Sequence, residues 1–338
     1  MKRANQEIPN WILSSKEESK LSLEEKEAYY AKLQEFCSNR KLCTTTLGAL
    51  TIAPKLKGIT EKIAKKVSSI LAGGEIEVVA DGQENIPDGG VIFAVTHQGI
   101  MDNFIWIPEN PRHSILLHHG DVNKLLILAQ LNTGLVLVSK KPENANSRVN
   151  NKLDMIKILL KGHAITWWPE GAWNLSPSKL HLTMSYGFLE VAQKAEVPVI
   201  PMIIEYTYDT TLSKERITKA HIRYEKPITV KINDNLKEKL HEYQEAISTA
   251  RWEMIEEKGL YKRKEVTNVD YINYMKGNLA TLNLGKVSLE AERRALRDAN
   301  DEFYIFHHIN DVSWDAWGEL RQTEEVERLK QINRVHGI

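Results

Sequence analysis

The segment EIEVVADGQENIPDGGVIFAVTHQGIMD (75–102) decides the fold of this 338-residue chain. EIEVVA (75–80) alternates apolar and polar residues, the period of a strand with one buried face. IPDGG (86–90) is a turn signal. VIFAVT (91–96) is a continuous apolar run, as in a strand buried on both faces. The same character returns in SILLHHG (114–120), GLVLVSKK (134–141), HAITWWPEG (163–171) and VPVIPMIIEYTY (197–208). Helical stretches lie between them: NKLLILAQL (123–131), NNKLDMIKILLKG (150–162) and LTMSYGFLEVAQKA (182–195). This alternation predicts an α/β fold, a mainly parallel sheet flanked by helices. HIRYEKPITVKI (221–232) reads as a late strand. Residues 234–259 read as a long helix that starts at an Asp cap and ends at a Gly.

On the N-terminal side, residues 1–74 are expected to form a helical arm. Ser22 followed by Glu24 and Glu25 marks a helix start. Further on, Ile52, Leu56, Ile59, Ile63, Val67 and Ile70 recur at helical spacing until Gly73-Gly74 stops the pattern. From Arg40 to Lys66 there are seven basic residues against one acid, Glu61. Two readings of this helix stand side by side. It can lie on an anionic membrane surface, apolar face in the acyl boundary and lysines on headgroups. It can also pack its apolar stripe on the core with the lysines solvated. The expected division is therefore an arm (1–74), an α/β body (75–259) and a polar helical C-terminal extension (260–338).

Composition narrows the class. Hydrophobic residues at 42% and charged residues at 27% describe a globular chain rather than a fibrous or disordered one. Forty-five basic and 45 acidic residues cancel, which argues against a globally basic nucleic-acid binder. Two cysteines, Cys37 and Cys43, are too few for a disulfide framework or a zinc cluster and suit a reducing compartment. MKRANQEIPN is followed by no apolar h-region, and the most apolar window, 197–204, is far short of a membrane span. The expectation is a cytoplasmic protein, peripheral on the inner face of the membrane. No glycine-rich nucleotide fingerprint occurs.

Active sites of open α/β sheets sit beyond the carboxyl ends of the strands. VIFAVT is followed there by His97, with Asp102 five residues on. At that spacing the carboxylate can turn back onto one imidazole nitrogen, set the tautomer and raise the basicity of the other nitrogen. Such a pair suits acyl transfer in which the acceptor supplies its own hydroxyl. A polar strand end and a helix cap would look the same. HAITWW is followed by Pro169-Glu170-Gly171, and GLVLV by Ser139, Lys140 and Lys141.

Taken in order, these blocks resemble the glycerol-phosphate and lysophospholipid acyltransferase superfamily, over about residues 76–232. His97 and Asp102 match its HxxxxD block. Gly82 to Pro87 is similar to the G-x-E-N-I/L-P lead-in, and Gly134 to Lys140 to the second block. Trp168-Pro169-Glu170-Gly171 is similar to F-P-E-G, and Val197 to Pro201 to V-P-x-x-P. The resemblance implies an O-acyltransferase. An acyl thioester, acyl-CoA or acyl carrier protein, is the co-substrate donor, and no other cofactor and no metal is implied. His97 is then the general base, Asp102 its orienter, and Glu170 and the backbone around Gly171 hold the acceptor; a structural hydrogen bond from Glu170 to neighbouring backbone is an equal expectation, and both can hold. Two positions depart from the pattern: Lys140 and Trp173 stand where arginines are common. A lysine only partly replaces an arginine on a phosphate, and a tryptophan does not replace it at all. The implied acceptor is thus a lysophospholipid with a larger headgroup, or a glycolipid. An alternative of another class is a metal-dependent hydrolase built on His97, Asp102, His118, His119 and Asp121. Another is a non-catalytic lipid-binding relative.

Overall fold

The computed structural model describes residues 8–42, 50–51, 53–99, 101–119, 135–138, 145–171, 174, 180–182, 184–209 and 216–257. Lys140, Lys141, Trp173, Asp121, the expected helix 123–131 and the expected extension 260–338 lie outside these residues.

Among the described residues seven strands form one sheet: β1 (Glu77–Asp81), β2 (Val91–Val95), β3 (Ser114–His119), β4 (Leu135–Val138), β5 (Ala164–Trp167), β6 (Val199–Asp209) and β7 (Arg216–Tyr224), in the order β1-β7-β6-β2-β5-β3-β4. Every neighbouring pair is parallel except β6 with β7. The fold is therefore the mainly parallel α/β class that the alternation predicts. Strand β2 lies at the centre, and all five of its residues are buried because both faces of the sheet are covered.

The helices are α1 (Ser15–Glu18), α2 (Leu23–Asn39), α3 (Lys57–Ala72), α4 (Met101–Glu109), α5 (Ala145–Leu160), α6 (Gly187–Ala195) and α7 (Leu236–Glu257). Ile92 and Ala94 face a core shared with α2, α5, α6 and α7. Val91, Phe93 and Val95 face the other core, with Met101, Ile105 and Trp106 of α4.

The two long helices of the N-terminal arm dock on opposite faces. Helix α2 starts at Ser22 in a full capping box with Glu25 and buries Tyr30, Leu33 and Cys37. Near its start, Glu18 pairs with Lys194 of α6 at 2.7 Å. Helix α3 packs instead on α4 and stops at Gly73, whose φ of 74° ends it in the left-handed cap. Its buried positions are Thr60, Ala64 and Ser68. Ile59, Ile63 and Ile70 of its apolar stripe are exposed by 57%, 51% and 69%. The core-packing reading of this stripe is thereby corrected. Small side chains let α3 approach α4 closely, and the isoleucines are left at the surface.

Three boundaries differ from the sequence reading. β7 ends at Tyr224 because Pro227 has no N–H to continue the ladder, and Ile228 makes only an isolated bridge to Val199. The cap of α7 is supplied by Asn235, whose Oδ1 accepts from the Lys237 N–H at 2.9 Å; Asp234 binds Lys231 N–H instead. Helix α6 starts at Gly187 rather than near Leu182, whose N–H has a partner outside the helix.

The Gly82–Pro87 lead-in acts as a clamp between β1 and β7. Gly82 has φ 75°, and a Cβ there would drive into the carbonyl oxygen of Tyr224. Asn85 Nδ2 donates to that same carbonyl at 2.8 Å. We expect Gly82→Ala to lower stability by about 2–4 kcal/mol through left-handed strain plus the displaced carbonyl. Asn85→Ala should cost only about 1 kcal/mol. Urea unfolding of both variants checks the order.

Candidate active site

Strands β2, β5 and β6 run parallel, so their carboxyl ends form one edge. His97 follows β2 there, Trp168 follows β5, and Asp102 lies in the first turn of α4. The His97 Nδ1 lies 2.8 Å from Asp102 Oδ2. The same oxygen accepts the N–H groups of Gln98 at 2.7 Å and Gly99 at 2.9 Å. Oδ1 accepts the hydroxyl of Tyr206 at 2.5 Å. Asp102 is fully buried, and the backbone and tyrosine groups facing it are all donors. Nδ1 therefore carries its hydrogen toward Asp102, and Nε2 is the nitrogen that bears the acceptor lone pair. The imidazole rests against the Trp168 ring, centroids 5.3 Å apart.

The backbone of His97 is held from both sides. Its N–H donates to Glu170 Oε1 at 2.8 Å, and its carbonyl accepts from the Asn174 N–H at 2.6 Å. Glu170 Oε2 accepts from the Leu182 N–H at 2.7 Å. Glu170 is 1% exposed, so its carboxyl is no open surface for an acceptor. Of the two roles expected of Glu170, the structure shows the bond to backbone: the carboxylate grips the His97 and Leu182 N–H groups. Burial pushes this carboxyl up to about 7, against the opposing pull of the Leu182 and His97 N–H groups and of Arg251. Gly171 turns the chain at φ 63° and donates to the Trp168 carbonyl at 3.0 Å.

Behind the loop lies a buried polar chain. Gln98 Nε2 donates to the Ile204 carbonyl and to Glu205 Oε2, the latter at 3.2 Å. Arg251 of α7 donates from Nε to Glu205 Oε2 at 3.1 Å and from Nη1 to the Leu180 carbonyl. The structure thus brings His97, Asp102, Glu170 and Gly171 to one edge. The backbones of His118 and His119 end β3 two strands away. Their side chains lie outside the described residues, as does Asp121. Among the described residues no three His, Cys, Asp or Glu converge as metal ligands would. Sequence reasoning missed Tyr206, Gln98, Glu205 and Arg251. A signal was present in two of them: Glu205 is a charge inside an apolar strand run, and Arg251 follows Ile247 by one helical turn on the buried face of α7.

A family model and solved structures match this chain. The family model described as Acyltransferase matches residues 77–205. The chain is similar to the crystal structure of the 1-acyl-sn-glycerophosphate (LPA) acyltransferase, PlsC, from Thermotoga maritima. The identity is 20% and the TM-score 0.47, over 69% of this chain and 90% of that one. No curated protein matches.

The Glu170 carboxyl gives a pH-dependent stability. Its folded value lies above its ordinary 4.5, so the folded protein holds the extra proton between about 4.5 and about 7. That contribution is complete below 4.5 and is lost as pH rises through about 7, a span worth on the order of 3 kcal/mol. Glu170→Gln has no titrating carboxyl here and lacks this contribution. The stability of the unmodified protein relative to the variant should therefore fall as pH rises from 4.5 to 7. Denaturant midpoints across that range measure it.

Proposed function

We propose that this chain is an enzyme that moves a fatty acyl group from an acyl thioester to a hydroxyl of a lysophospholipid or related lipid; the match of the Acyltransferase family model to residues 77–205 supports this reading. His97 serves as general base and Asp102 as its orienter. The observation that carries the reading is the Asp102–His97 pair at the carboxyl edge of the sheet, inside the matched segment. Nε2 takes the proton of the acceptor hydroxyl as its oxygen attacks the thioester carbonyl carbon. The tetrahedral intermediate collapses, the C–S bond breaks, and the thiolate receives the proton from the imidazolium. Asp102 stabilises that imidazolium without taking the proton. The acceptor oxygen is the nucleophile, so no acyl-enzyme forms. The acceptor class rests on Lys140 and Trp173, which favour a substituted headgroup or glycolipid over a phosphomonoester. Either acyl-CoA or acyl carrier protein can donate.

The test is transfer of labelled acyl groups from acyl-CoA and from acyl carrier protein to glycerol-3-phosphate, lysophosphatidate, lysophosphatidylglycerol and a glycolipid. His97→Ala should lose about 10²–10⁴-fold in turnover with the fold intact. Asp102→Asn should lose nearly as much by favouring the wrong tautomer. A folded His97→Ala protein that turns over normally sinks the mechanism.

The site of action is the surface of an anionic membrane, on its inner, cytoplasmic face. No described helix is long and apolar enough to cross a membrane. Support comes from α3, where the exposed Ile59, Ile63 and Ile70 share one helical row flanked by exposed Lys62 and Lys66. This helix packs on α4, the helix that carries Asp102. Each lysine near such a surface contributes about 1 kcal/mol, screened by salt. Ile63→Glu combined with Ile70→Glu should reduce co-sedimentation with phosphatidylglycerol vesicles while leaving the melting temperature nearly unchanged. Unaltered sedimentation returns α3 to an ordinary surface helix.

A further inference from the structure

The family match ends at residue 205, yet the polar chain behind the His97 loop continues into α7. Arg251 is 5% exposed and Glu205 is 1% exposed. A buried ion pair of this kind is weak evidence for stability, since desolvation offsets most of the attraction. Its value lies in what it orients. Glu205 Oε2 accepts from Arg251 Nε and from Gln98 Nε2, the side chain next to His97 in the chain. The other arm of the guanidinium donates to the Leu180 carbonyl. Two residues on, the Leu182 N–H donates to Glu170, whose second oxygen holds the His97 N–H. Arg251 therefore closes a ring: through Glu205 and Gln98 it reaches one side of His97, and through Leu180, Leu182 and Glu170 it reaches the other.

We propose that Arg251, on the helix beyond the matched segment, is a positioning residue for catalysis that fixes the His97 loop from both ends through Glu205–Gln98 and Leu180–Leu182–Glu170. The inference rests on the reading of His97 as general base. The planar guanidinium holds its donors in a rigid fork, so that Nε bonds a carboxylate while Nη1, on a separate arm, bonds a backbone carbonyl. Lysine keeps the charge but has a single head. A loop released at either end moves the imidazole relative to the acceptor hydroxyl. A displacement of about 1 Å costs on the order of 10²-fold in rate.

Steady-state kinetics with acyl-CoA and lysophosphatidylglycerol test this on three full-length variants, each checked for folding by its melting curve. Arg251→Met with Glu205→Gln removes both buried charges together and so avoids stranding one. It should melt near the parent temperature, with kcat down about 10–100-fold and KM within about twofold. Arg251→Lys should fall between this variant and the parent in kcat. His97→Ala is the control and should be inactive. If kcat per folded molecule stays within twofold of the parent in both Arg251 variants while His97→Ala is inactive, the positioning role is overturned. Loss of stability alone, with kcat unchanged, overturns it equally. An active His97→Ala protein overturns the general-base reading instead, and the two failures are told apart by that control.

Discussion

A buried carboxylate must be saturated with donors or it is expelled, and Asp102 meets that constraint with four of them. Three come from residues 97–99, so the loop after β2 is wound around one oxygen of its own helix start. The position in the first turn of α4 adds the favourable field of the helix N-terminus. The wound loop turns Nδ1 of the imidazole inward, toward Asp102, and leaves the acceptor lone pair on Nε2. The tautomer that acyl transfer requires is thus a by-product of satisfying the acid.

The loop is buttressed from both faces of the sheet by consecutive residues of β6. Strand β6 runs on past the end of β2, where it is paired only with β7. Successive side chains of a strand point to opposite faces. Tyr206 therefore reaches Asp102 beside α4, while Glu205 reaches Arg251 of α7 and the side chain of Gln98. The central place of β2, with both faces dry, is what makes these polar contacts strong, because little water competes for them.

Helix α3 shows the opposite economy. A helix normally hides its large apolar residues, yet α3 hides Thr60, Ala64 and Ser68 and shows isoleucines to solvent. An exposed apolar row beside lysines is what a lipid surface requires. Hydrophobic period alone locates such a stripe but carries no information on which side its partner lies.

The order of strands and helices was legible in the sequence because burial on both faces forces long apolar runs, as in VIFAVT, and because caps such as Ser22 and Gly73 mark helix ends locally. His97, Asp102, Glu170 and Gly171 were legible too, since each lies within a few residues of a strand end. Their connections to distant residues were not. Tyr206 reads as strand, Arg251 as one more charge on a helix, and Glu170 as a substrate contact or a bond to nearby backbone, because a hydrogen bond across 73 or 104 positions leaves no periodic trace. What the sequence determined by itself is the class of fold and the edge where chemistry gathers, both products of local periodicity. What only the tertiary structure decided is which face of α3 is exposed and which partners fix His97, because both depend on pairings made when the sheet closes and water leaves.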